Sequence, residues 1–144
     1  MSKARGFTLF ELLFTLALMS VMIGLTSFYF KGLAAPASNG ALVVAGFIRK
    51  ARAKALASTL AYSVAPLSLT QLKTTYAKTC SSTAQTTDNA FNLTLPSGAY
   101  MSTAAWSVCF STRGIANSSV DITVHDSANT KTVQVVLGGA VRIQ

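Results

Sequence analysis

The feature that most constrains this chain is its first thirty residues. A short basic leader, MSKARG, precedes FTLFELLFTLALMSVMIGLTSFYF and then Lys31. No charged side chain occurs from Leu12 to Phe30, and a single carboxylate, Glu11, stands at the head of that run. At 1.5 Å per helical residue the run is about 28 Å long, close to the roughly 30 Å hydrocarbon core of a bilayer. A transmembrane helix over residues 7–33 is therefore expected. A secretory signal would be cut after its apolar stretch and lost. Here the small residue suited to a peptidase, Gly6, comes before the stretch, so cleavage would retain it.

Glu11 needs a partner in such a setting. An acidic side chain near the centre of a spanning helix costs about 2.5 to 3.5 kcal/mol on insertion scales, and less near its end. Cleavage after Gly6 would create a cation close by, the new amino group of Phe7. Within one chain the two compensate in part. Between neighbouring chains the carboxylate of one helix meeting the amine of the next would fix their axial stagger, which makes Glu11 an assembly residue.

The stretch Gly6-Phe7-Thr8-Leu9-Phe10-Glu11-Leu12-Leu13 resembles the processing site of type IV pilins and type II secretion pseudopilins. The resemblance implies that 1–6 is a leader peptide, that a prepilin peptidase cleaves between Gly6 and Phe7 and methylates the Phe7 amine, and that the helix later leaves the inner membrane to form a filament core with other pilin subunits. Many major pilins carry a proline within the apolar segment. The first proline of this chain is Pro36, beyond it.

With 144 residues the chain has room for one domain after the anchor. The formal charge of +8 falls to +6 once Lys3 and Arg5 leave with the leader. Those two residues favour a cytoplasmic N-terminus, which puts the C-terminal domain on the periplasmic or extracellular side, although Lys31 and the Arg49 to Lys54 cluster weaken the signal. The only two cysteines, Cys80 and Cys109, fall in that external part. An oxidising compartment lets them pair as a structural disulfide closing a loop of about thirty residues, which chain entropy values at about 3 to 4 kcal/mol. A zinc site or a redox pair is the weaker reading, since neither a third ligand at metal spacing nor a CxxC is present.

Residues 34–62 read as a kink and a basic amphipathic helix. Pro36 interrupts or bends a continuous helix, and Ser38 or Asn39 is placed to cap a new start. Leu42, Phe47, Ala51 and Ala55, with Val43, Ile48, Leu56 and Leu60, then recur at spacings of three to five and predict the buried face. Arg49, Lys50, Arg52 and Lys54 occupy the remaining face, while alanines leave the helix thin enough to lie close to a sheet. Residues 63–144 read as an antiparallel β-sheet domain. Strands are expected over Ser68 to Tyr76, Phe91 to Leu95, Trp106 to Phe110, Val120 to His125, Thr132 to Leu137 and Ala140 to Ile143. Trp106, Val108 and Phe110 alternate with polar neighbours, as do Val120, Ile122 and Val124. Gly138-Gly139 signals a two-residue hairpin, Asp126 to Lys131 a longer exposed turn, and Thr79 to Asn89 a polar loop tied by Cys80. The fold class is α+β: a long N-terminal helix packed on an antiparallel sheet domain.

Ala51-Arg52-Ala53-Lys54-Ala55, Val108-Cys109-Phe110-Ser111-Thr112-Arg113-Gly114 and the terminal Val133 to Ile143 are similar to minor pseudopilins of the GspH/FimT type. This sharper resemblance implies a pilin-like fold and a minor pilin or pseudopilin at or near the tip of a type IV pilus or a type II secretion pseudopilus. Catalysis has little to use. The one histidine, His125, has too few partners for a triad and reads as a solvated strand residue, and no phosphate loop or metal motif occurs. No enzyme activity, cofactor or metal is expected.

The basic cluster Arg49, Lys50, Arg52 and Lys54 reads first as a solvated face touching headgroups or neighbouring subunits. The alternatives are a DNA-binding stripe, because Lys and Arg neutralise phosphates regardless of sequence, and a partner-docking site. Some FimT-like pilins bind DNA through paired arginines in a C-terminal hairpin. Only Arg142 follows the glycines here, with Arg113 and Lys131 on candidate loops, so the alternative function is a DNA-uptake receptor with a partial match.

Overall fold

A computed structural model describes residues 8–33 and 35–144. The chain divides into two units, before and after Ala35. The first contains one helix, α1 (Leu9–Leu33). The second holds α2 (Pro36–Ser58) and nine strands: β1 (Ala61–Ser68), β2 (Gln71–Ala77), β3 (Thr86–Thr87), β4 (Leu93–Thr94), β5 (Tyr100–Met101), β6 (Val108–Phe110), β7 (Val120–His125), β8 (Thr130–Val135) and β9 (Val141–Ile143).

Pro36 begins α2 rather than bending it. Its fixed φ suits the first helical position, where its missing N–H is not needed, and Ala35 before it is extended at φ −98°, ψ 92°. Neither Ser38 nor Asn39 caps the helix, because both lie inside it. The cap comes from the other end of the domain: Ala37 N donates to Asp126 Oδ2 at 3.0 Å. At its C-terminus α2 stops three residues short of the expected Ala61, with Thr59 in the left-handed region at φ 53°.

The buried face of α2 is Ala37, Gly40, Ala41, Val44, Ala45, Phe47, Ile48, Ala51 and Ala55. This corrects the expected stripe, since Leu42, Val43 and Leu56 are exposed. Small residues win the inward face because the helix lies against two sheets at once. A Cβ added at Gly40 would sit 2.9 Å from the Ala99 Cβ.

Those sheets replace the single one expected. One has the order β3-β2-β1-β6, with β4 also on β2, and the other the order β5-β7-β8-β9; all described pairings are antiparallel. Their inner faces meet α2 in one core that includes Val64, Leu72, Val108 and Phe110 from the first sheet and Ile122, Val124, Val133 and Val135 from the second.

The expected strand over Ser68 to Tyr76 is two strands, with the β1–β2 turn near its start. β1 has no clear alternation in the sequence because Pro66 interrupts its pattern. The proline is tolerated because β6 pairs only with Tyr62, Ser63 and Val64, leaving Pro66 on a free edge. β7 has the expected limits and alternation. The β8–β9 loop has three residues, Leu137 to Gly139, since Val136 N donates to Ala140 O and Gly139 N to Val136 O. Only Gly139 of the pair has positive φ, +76°. Asp126 is buried, unlike the exposed turn residue expected.

Candidate functional site

Gly6 and Phe7 lie outside the described residues. Immediately after them, Thr8 and Glu11 close a reciprocal cap on α1: Glu11 N donates to Thr8 Oγ1 at 3.3 Å, and Thr8 N donates to Glu11 Oε2 at 3.4 Å. The spacing Thr8-x-x-Glu11 ahead of an apolar run is a capping box, a signal that the sequence itself carries beside the lone carboxylate. Thr8 therefore joins the residues that position Glu11.

Apart from Glu11 and the hydroxyls of Thr15 and Ser20, the described side chains of α1 are apolar on every side. Leu9, Phe10, Leu13, Phe14, Met19 and Ile23 are all exposed, as are the intervening large side chains. The two hydroxyls in this stretch turn inward to their own backbone, Thr15 Oγ1 to Leu12 O at 3.0 Å and Ser20 Oγ to Ala17 O at 2.8 Å. A helix with no polar face and with satisfied hydroxyls suits apolar surroundings, either lipid or other helices. Side chains of α1 are described as far as Ile23, and among the described residues no helix is long and apolar enough to cross a membrane.

The basic cluster on α2 reaches solvent at Arg49, Lys50 and Lys54, yet three of its four residues are also tied into the fold. Arg49 Nη2 donates to Val141 O at 2.9 Å on β9. Arg52 Nε donates to Gly114 O at 2.9 Å, and its Nη2 reaches Gly138 O at 3.4 Å, so one guanidinium holds two loops from different sheets. Lys54 pairs with Asp88 at 2.7 Å and lies 4.6 Å from the Phe91 ring centroid. That hydrogen bond raises the Lys54 pKa above its ordinary value despite partial desolvation. Lys50 alone of the four has no such contact and is exposed.

Arg113, Lys131 and Arg142 are exposed, but they do not share a face. Lys131 pairs with Val124, whose side chain points to the core, whereas Arg142 pairs with Gln134 on the outer face, beside Asp121. Arg113 sits in the loop held by Arg52.

Cys80 and Cys109 are joined, with their Cα atoms 5.8 Å apart. The bond ties the 78–89 loop to β6 and buries Cys109, which faces away from α2. His125 Nδ1 lies 2.9 Å from Thr130 Oγ1 and its ring stacks on Tyr100 at 5.8 Å, so it is a packed strand residue. Among the described residues no group of three His, Cys, Asp or Glu side chains is placed to hold a metal.

Residues 1–27 match the family described as the prokaryotic N-terminal methylation motif. No curated protein matches the chain. Two crystal structures of the type IV minor pilin FimU of Pseudomonas aeruginosa, strain PAO1, are similar to it in fold. One is 12% identical with a TM-score of 0.58, covering 75% of this chain and 87% of that one. The other is 11% identical with a TM-score of 0.56, covering 74% and 91%. The chain thus carries a prokaryotic N-terminal methylation motif and has a fold similar to that of a type IV minor pilin.

Proposed function

We propose that this type IV pilin-like chain is a minor pilin or pseudopilin, cleaved by a prepilin peptidase between Gly6 and Phe7, methylated on Phe7, held in the inner membrane and packed through α1 near the tip of a filament. The observation that carries this reading is one carboxylate, Glu11, at the head of a helix that is apolar on every side, directly after the Gly6–Phe7 bond. In that role Glu11 exchanges its weak contact with Thr8 for the Phe7 amine of a neighbouring subunit. The carboxylate is the acceptor in both contacts, but only the amine brings a full opposite charge, and that ion pair sets the stagger between helices.

Mass spectrometry of the membrane form, from cells with and without the peptidase, tests the reading. Loss of residues 1–6 with one added methyl on Phe7 is expected only when the enzyme is present. An intact N-terminus in peptidase-containing cells overturns it. DNA capture through Arg113, Lys131 and Arg142 is the competing proposal. The opposite faces of Lys131 and Arg142, and the engagement of Arg49, Arg52 and Lys54 within the fold, favour the scaffold. Salt-sensitive gel shifts lost on Arg142→Ala or Arg113→Ala would reverse that preference. A secretion assay in a deletion strain separates the pilus from the type II secretion pseudopilus.

A further inference from the structure

The outer face of the first sheet, turned away from α2, carries a cavity of about 310 Å³. Its floor follows from the strand register. Ser63 pairs with Thr75 on one side and Cys109 on the other, and Ala65 pairs with Lys73, so these side chains share one face within about 5 Å of their neighbours. Ala65 is small and leaves the space beside Lys73 open. The Cys80–Cys109 bond and Gln85 border the cavity from the 78–89 loop, and Ser107 and Asn117 close the far side.

The chemistry of the lining is one-sided. Lys73 is the only charged residue of the lining, and among the described residues no side-chain partner holds its ammonium. Asn117 Oδ1 accepts the Cys109 N–H at 2.8 Å and the Ser118 hydroxyl at 3.3 Å, and its amide Nδ2 has no partner among the described residues. Gln85 Oε1 accepts the Thr75 hydroxyl at 2.7 Å, leaving its own Nε2 free in the same way. The Ser63 and Ser107 hydroxyls can donate or accept. One cation surrounded by fixed amide donors and ambivalent hydroxyls matches a single anionic group carried on a hydroxylated frame. The volume is at the small end of ligand cavities, enough for one sugar-sized ring.

We propose that this cavity binds a small hydroxylated monoanion of the sugar-acid type, with the carboxylate on Lys73 and the hydroxyls on Gln85, Asn117 and Ser63. The site lies on the face of the sheet opposite α2, so occupancy does not depend on the helix packing described above, and the proposal stands apart from the filament reading.

The test is titration of the full-length protein in neutral detergent with glucuronate, followed by saturation-transfer NMR at matched ionic strength, with glucose and inorganic phosphate as comparison probes. Saturable glucuronate binding is expected, weakened about tenfold or more by Lys73→Gln, as removal of a charged hydrogen bond should do, and unchanged by Lys78→Gln, which lies outside the cavity. Trp106 emission verifies that each variant is folded. Should Lys73→Gln not fold, Gln85→Ala, at an exposed position, reads the same site and should weaken binding severalfold. Absence of saturable glucuronate binding overturns the proposal, as does undiminished binding by Lys73→Gln or by Gln85→Ala. Equally good binding of glucose removes the anionic requirement, and equally good binding of phosphate removes the hydroxylated frame; either result also overturns it.

Discussion

Asp126 shows how much one side chain can organise. Its Oδ2 accepts the Ala37 N–H, and its Oδ1 accepts the N–H groups of Ala128 and Asn129 at 2.7 and 2.6 Å, so a single carboxylate caps α2 and shapes the β7–β8 turn. These backbone bonds, that from Ala37 foremost, lower its pKa from 3.8 to about 2. A depressed folded-state pKa means that the stabilisation is present above the unfolded value and disappears as pH falls from about 3.8 towards 2. Asp126→Ala should therefore unfold at a lower temperature than the parent at neutral pH, with the gap narrowing through that acid window. The fluorescence of Trp106, the only tryptophan, follows this in the globular unit. Gly139 is a second such residue. A Cβ there would collide with Gly114 O and sit 2.8 Å from Arg52 Nε, on a backbone with φ +76°. Gly139→Ala should destabilise the unit by about 2 to 4 kcal/mol in urea titration, combining left-handed strain with overpacking.

Among the elements, α2 decides the architecture. Its alanines let two sheets approach one helix, and its arginines fasten the loops those sheets present. Ile48 is fully buried in this seam while Leu42 is 57% exposed. Truncation at Ile48 should remove about 2 to 5 kcal/mol of stability and truncation at Leu42 less than about 0.5, which equilibrium unfolding of Ile48→Ala and Leu42→Ala would measure. The reverse ranking would mean that the Leu42 side is covered in the folded protein. Hydrophobic type alone could not tell the two faces apart, because Leu42, Val43 and Leu56 are as apolar as Val44, Ile48 and Ala55 and interleave with them along the chain. What separates them is position: only the second set lies on the side of α2 that meets the two sheets, with Ala41, Ala45 and Ala51 between its larger members. β7 was legible because its apolar and polar residues alternate over six positions without a break. β3, β4 and β5 have two residues each, too few for any period to register.

At the scale of the molecule the Cys80–Cys109 bond replaces a hydrophobic anchor for the 78–89 loop, most of which is exposed. Closing a segment of 29 residues should be worth about 3 to 4 kcal/mol through the unfolded chain. The Cys80→Ser, Cys109→Ser double variant should lose about that amount in denaturant titration, and the wild type should match it after reduction. Taken together, the sequence determined the apolar N-terminal helix with its carboxylate, the α+β order and the pairing of the two cysteines, because each is written in local composition, short-range periodicity or a count of only two thiols. The tertiary structure alone decided which side of α2 is buried, that Asp126 rather than Ser38 or Asn39 caps it, that Arg49, Arg52 and Lys54 hold the fold together, and that Lys131 and Arg142 face opposite ways. Each of these depends on atoms brought together from distant parts of the chain, and on a strand register in which one residue of shift reverses every side chain.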